Sequence, residues 1–143
     1  MSTVSFDVMT TRTLRARIRE HDGDRLVLAP AGNAYELAFV VDGVVQAEIG
    51  QRVSGHVEAI ALAVHAADAG GQFIEPVQGQ PRIVAGRVVE IDAAASRVLL
   101  DSVVPITLTI RTHDDLSHCV EGGFVNCHVE SGAVFVLEDA AGG

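Results

Sequence analysis

At 143 residues the chain is long enough for one ordinary domain, or for two very small units that share a core. Its formal charge is −9, from 19 acidic residues against 10 basic ones, and every basic residue is arginine. The acidic balance disfavours binding to phosphate backbones, the absence of lysine excludes Schiff-base and P-loop-lysine chemistry, and no apolar run approaches the roughly 20 residues that span a bilayer.

Aromatic residues make up only 4% of the chain and tryptophan is absent, so the expected core is aliphatic. The abundance of Val and Ile, with 14 glycines to make turns, favours strands over helices. Two cysteines do not make a disulfide framework. The segment Met1 to Arg12 is polar and lacks the apolar stretch of a secretory signal. The expectation is a soluble, reduced, cytoplasmic protein.

In chain order, Arg15 to Arg19 alternates polar and apolar with period two, the mark of a half-buried strand. Asp22-Gly23 supplies a hairpin turn, because both residues tolerate positive φ. Arg25 to Ala29 forms the return strand, closed by Pro30 to Asn33. Tyr35 to Val41 is a third strand, turned by Asp42-Gly43, and residues 44–49 form a short strand or an extended connection. Arg52 to Val64 is a long strand whose alternation fails near Glu58 to Ile60, which predicts a bend or bulge there.

Residues 66–84 read as an ordered linker. Gly and Pro punctuate it, yet Phe73, Ile74 and Val77 are apolar, so Phe73 is expected to be buried and Gln78-Gly79-Gln80 to form an exposed turn. Strands are then predicted over 83–92, 97–103, 105–112, 124–130 and 133–138. Pro105 belongs at a strand start, since it cannot donate to a ladder. Thr112, with Asp115 three residues on, can cap a helical turn running to Cys119.

The second half echoes the first. Gly50-Gln51-Arg52-Val53-Ser54-Gly55-His56-Val57-Glu58 returns 72 positions on as Gly122-Gly123-Phe124-Val125-Asn126-Cys127-His128-Val129-Glu130. Arg25 to Leu28 pairs with Arg97 to Leu100 at the same offset, and Arg17 to Asp22 pairs with Arg87 to Asp92 after a two-residue adjustment. Self-similarity at a fixed period signals a duplicated structural unit. The division expected is a first repeat over 13–65, the linker over 66–84 and a second repeat over 85–139.

Five short strands per unit, glycine-rich turns and a closing strand of the form Gly-x-x-Val-x-x-x-Val resemble the oligonucleotide/oligosaccharide-binding (OB) fold and the transport-associated, molbindin-like (TOBE) β-barrels. The resemblance implies an all-β protein of two tandem OB-like small antiparallel β-barrel units packed together. The Ser-Ala-Arg-Asn-Gln-type stretch of the molybdate-binding family is absent. Arg15-x-x-x-Arg19 resembles the arginine element of PilZ domains, but the Asp/Asn-x-Ser/Ala-x-x-Gly element that accompanies it there is missing.

Three groups of residues can carry chemistry. Arg15, Arg17 and Arg19 form a row on one strand face that could hold a phosphate or carboxylate; same-strand arginines more commonly keep a surface soluble. His56 with Glu58, and His128 with Glu130, put one outward His/Glu pair in each repeat. Such a pair is half a metal or ligand site, or a plain ion pair on a solvated strand. His113, His118, Cys119 and His128 are potential metal ligands, although their spacing matches no zinc pattern. Cys127 stands where the first repeat has Gly55, which predicts a small, buried, reduced residue.

No catalytic motif is present. The function expected is a non-enzymatic binding or interaction module for a protein partner or small ligand, without a cofactor and open to homo-oligomerisation. The inter-repeat groove and the segment Phe73 to Pro81 are its expected docking surface. The alternatives are an OB-type single-stranded nucleic-acid binder, which lacks the basic groove and stacking aromatics required, and a metal-dependent enzyme or metal-binding protein around His113 to His128.

Overall fold

The computed structural model describes residues 13–42, 45–67 and 71–140. The described chain is all-β, with one five-residue helix. Its strands are β1 (Leu14–Asp22), β2 (Arg25–Pro30), β3 (Glu36–Asp42), β4 (Arg52–Ala67), β5 (Phe73–Glu75), β6 (Gln78–Gly79), β7 (Ile83–Asp92), β8 (Arg97–Asp101), β9 (Pro105–Ile110), β10 (Phe124–Val129) and β11 (Val134–Ala140), with α1 (His113–Ser117) between β9 and β10. The helix has the predicted cap: Thr112 accepts a hydrogen bond from the Asp115 backbone N–H at 3.0 Å.

All strands join one sheet, in the order β1-β2-β3-β11-β4-β10-β7-β8-β9. The sheet is mixed. β3 runs parallel to β11 and β4 parallel to β9, while the sequential neighbours pair antiparallel. The expectation of purely antiparallel units is corrected at those two seams and at the short parallel pairing of β6 with β3. Long connections, unlike two-residue hairpins, allow strands distant in sequence to pair in the same direction.

β4 organises the sheet. At 16 residues it is far longer than an ordinary strand, and each end has different partners. Residues 52–55 pair with β1 and residues 53–58 with β11; residues 57–61 pair with β9 and residues 61–67 with β10. The path β1-β2-β3-β11-β4 therefore returns to β1, and the path β7-β8-β9-β4-β10 returns to β7.

The core is aliphatic, as the composition requires. Ile18, Leu26, Leu28, Leu37, Val53 and Phe135 are fully buried from the first path, and Val88, Val98, Leu100, Ile106, Leu108 and Cys127 from the second. Single-residue bulges sit at Arg19 on β1, Val89 on β7, Leu62 on β4 and Glu138 on β11, where two residues of one strand face one of its partner's steps. The irregularity predicted near Glu58 to Ile60 is thus found at Leu62, because inward-facing Val57, Ala59 and Ala61 hold the alternation through that region. Residues 45–48 form no strand and residues 49–50 make a turn, so of the two readings of 44–49 the connection, not the short strand, holds over 45–48; residues 43–44 lie outside the described residues.

The connecting segment is tied down by β5 on β7 and β6 on β3. Within it, Phe73 is 36% exposed and Ile74 is buried, so the expected burial of Phe73 is corrected. Strand alternation permits only one of two successive side chains to face inward, and the better-fitting aliphatic takes that place. Gln78 and Gly79, expected as a turn, pair as a short parallel strand with Glu36 and Leu37. We expect Ile74→Ala to cost about 2–4 kcal/mol, as other buried aliphatic truncations do, and Phe73→Ala less than about 1 kcal/mol. Urea unfolding of the two variants checks this order.

Candidate functional site: an arginine groove

The face of β1 opposite the core carries Arg15, Arg17 and Arg19, all exposed, between inward-facing Leu14, Ala16 and Ile18. Antiparallel pairing with β4 sets Arg17 directly across from Arg52 and Arg15 across from Ser54. The four arginines line one surface groove of about 430 Å³, whose opposite side is the end of β2 and the turn after it, Ala29 to Asn33. Arg19 enters the groove from a bulge, a geometry that re-aims a side chain relative to its neighbours.

Directly opposed like charges on a β-pair are destabilising. Arg17 donates from Nη1 to the Gly50 carbonyl at 2.9 Å, and the Nε of Arg19 lies 3.9 Å from a Glu36 carboxylate oxygen. Among the described residues, no carboxylate forms an ion pair with Arg15, Arg17 or Arg52. Each guanidinium has five N–H donors in a planar fork, so most of the groove's donors face solvent. Arg12, near this row in sequence, lies outside the described residues.

The two His/Glu pairs behave differently. His56 contacts Glu58 through Nε2 at 2.8 Å and Glu138 through Nδ1 at 2.7 Å, with its side chain only 15% exposed. Both ring nitrogens of His56 are thereby engaged by carboxylate oxygens. Glu58 also lies 3.5 Å from Arg97. The result is a cross-strand clasp of β4, β11 and β8 with its hydrogen-bonding groups engaged internally. Glu138 lies two residues beyond Val136, which pairs with His56, so strand alternation puts that carboxylate on the same face as the imidazole.

In the second half, His128 does not pair with Glu130. It meets His65 edge-on, with ring centroids 6.3 Å apart, while Glu130 lies 3.4 Å from Arg111. The bulge at Leu62 shifts the register opposite His128 and Val129, and β10 ends before Glu130. The expectation of matching pairs is corrected there.

The proposed metal ligands are dispersed. His113 is exposed on α1. His118 Nδ1 donates to the Val64 carbonyl at 2.9 Å, and Cys119 is buried with its Sγ 3.9 Å from the Asp115 carbonyl. His128 stands beside His65 on the β10–β4 ladder. Among the described residues, no group of three or more His, Cys, Asp or Glu side chains is placed to hold a metal ion.

Both cysteines are free and buried, and Cys127 faces inward as its repeat position predicts. Burial pushes the Cys119 thiol up, with the Asp115 charge adding to it. Burial pushes the Cys127 thiol from its ordinary 9.0 up to about 12, with Cys119 and Asp115 adding to it. A thiol whose folded value lies above its unfolded one favours the native state while both are protonated. That contribution is full below pH 9 and is lost as pH rises toward about 12. We therefore expect stability to fall between about pH 9 and pH 12, and Cys127→Ser to remove part of that fall. Urea midpoints measured at half-unit pH steps provide the check; a flat profile in both proteins contradicts the placement of Cys127.

Arg52 and Glu138 were not picked out by motif. Arg52 becomes visible only once β1 and β4 are paired in register, and Glu138 only once β11 is paired with β4. Compared with family models, curated proteins and solved structures, the chain matches none.

Proposed function

We propose that the chain is a non-enzymatic binding module, built from two copies of a small OB-like β-barrel that share β4, and that an anionic ligand sits in the arginine groove of the first copy. The duplication draws support from matched geometry. The Gly50 N–H donates to the Ile18 carbonyl at 2.7 Å, and the Gly122 N–H donates to the Val88 carbonyl at 2.8 Å. The Ile18 N–H donates to Gln51 at 2.9 Å, and the Val88 N–H to Gly123 at 2.8 Å. Bulges fall at the corresponding Arg19 and Val89. Leu14 pairs with Gly55 as Val84 pairs with Cys127.

In this reading β11 closes the first barrel as the C-terminal half of β4 closes the second. Phe135 beside Val41 then corresponds to Ala61 beside Ile110. The pair Gly55 and Phe135 trades volume with the pair Cys127 and Ala61, so each barrel is filled by a different large and small combination.

The observation that carries the binding reading is the gathering of Arg15, Arg17, Arg19 and Arg52 around one groove in a chain of net charge −9. Two features favour binding over catalysis: the buried thiols are poor nucleophiles, and both ring nitrogens of His56 are occupied. The test is a thermal-shift screen of small anions, cations and neutral sugars. Anions alone should raise the melting temperature, because a ligand that binds only the native state stabilises it by mass action. The Arg17→Gln/Arg52→Gln protein should lose that response. Equal stabilisation of the double variant would place the ligand elsewhere and refute the reading.

A further inference from the structure

We infer that the arginine groove takes a compact, multiply charged oxyanion with a non-aromatic body, the chemistry shared by small organic phosphates and polycarboxylates; this rests on the binding-module reading and names its ligand class. Arg15 and Arg17 lie two residues apart on β1, about 7 Å along the groove, and Arg19 follows from the bulge. Arg52 faces the middle one across the β1–β4 ladder. Planar guanidinium forks match carboxylate and phosphate oxygens two at a time. An oxyanion shared by Arg17 and Arg52 turns their mutual repulsion into attraction, and Arg15 and Arg19 reach a second charged group on either side.

Three observations narrow the ligand. The groove volume of about 430 Å³ suits a small molecule. Among the described residues, the ten that line it include no aromatic, so they offer no platform on which a nucleobase could stack. On the Arg19 side the groove is bounded by a carboxylate: Glu36 approaches Arg19 and lines the depression across β2 and β3, where Glu20 is paired with Arg25. A long polyanion leaving the groove on that side would meet Glu36, whereas a compact one would not.

Among the described residues the site occurs once, despite the internal echo. The positions matching Arg15, Arg19 and Arg52 hold Ala85, Val89 and Phe124, and only Arg17 has a counterpart, Arg87.

Isothermal titration of the full chain at about 150 mM salt tests the inference, with pyrophosphate, citrate and a 20-nucleotide oligothymidylate as probes. Pyrophosphate and citrate distinguish the phosphate from the polycarboxylate source. At least one of them should bind with one site per chain. Arg52→Gln should weaken it at least tenfold while Arg87→Gln leaves it unchanged, both variants keeping the wild-type melting temperature. Failure of both compact anions to bind, or binding unaffected by Arg52→Gln, overturns the inference. Oligothymidylate binding that depends on Arg52, with neither compact anion bound, overturns it too but leaves the groove as a binding site. The absence of any groove-dependent ligand removes both readings.

Discussion

Gly55→Ala is expected to destabilise the protein by about 3 kcal/mol, at the upper end of what overpacking costs in a filled core. Gly55 lies mid-way along the first half of β4, opposite Leu137 of β11. A Cβ at this position would run into the Val136 carbonyl oxygen and would meet the Phe135 ring at 2.6 Å from Cζ and 2.9 Å from Cε1. The carbonyl is held in the β11–β4 ladder, and the ring is fully buried, so neither can yield cheaply. For a chain of this size such a loss lowers the melting temperature by roughly 10 °C. Chemical unfolding measures it directly. A change below about 1 kcal/mol would mean that the ring does not lie over Gly55.

Phe135→Ala is expected to cost about 3–5 kcal/mol, the range for removing a large buried aromatic that cannot be replaced by collapse. Phe135 is fully buried and its ring centroid lies 6.3 Å from that of Phe39, the other fully buried phenylalanine among the described residues. It also sits where three strands meet, paired to Val57 of β4 and Val41 of β3. The urea midpoint should fall with little change in the slope of the transition. The cost of Gly55→Ala should be smaller in the Phe135→Ala background, because the methyl and the ring compete for the same space; the Val136 carbonyl limits that relief. Strictly additive effects would contradict the contact.

Period-two alternation made β1 legible, and turn residues bounded β2 and β3. The hairpin turn falls at Gly23-Asp24, one residue after the Asp22-Gly23 expected, because Asp22 still pairs with Arg25 and Gly23 takes the positive φ of 62°. The Thr112 cap was legible because a capping residue acts over three positions. The inward direction of Cys127 followed from its match to Gly55. What sequence periodicity cannot contain is which distant strands meet. The parallel seams β3–β11 and β4–β9, and the double use of β4, depend on where long connections carry the chain. Phe73 shows the same limit: hydrophobicity marks a residue for burial, but the phase of the strand decides which neighbour receives it, and Ile74 did.

For the site, the row Arg15, Arg17, Arg19 was readable from spacing, whereas its completion by Arg52 required the β1–β4 register. The His/Glu motifs were readable as pairs, yet their further partners stand on strands distant in sequence. Glu138 joins His56, while Glu130 leaves His128 for Arg111. Which distant side chains a motif meets depends on strand pairing and register, which the local pattern does not contain.

The claim that one arginine groove is the binding face is tested most directly by the side-chain Nε–Hε resonances of the arginines, followed by NMR during titration with pyrophosphate and with citrate. Shifts should concentrate on Arg15, Arg17, Arg19 and Arg52, and Arg82, Arg87, Arg97 and Arg111 should stay in place. Shifts spread evenly over all of these, or centred on Arg87, Arg97 or Arg111, would contradict the claim.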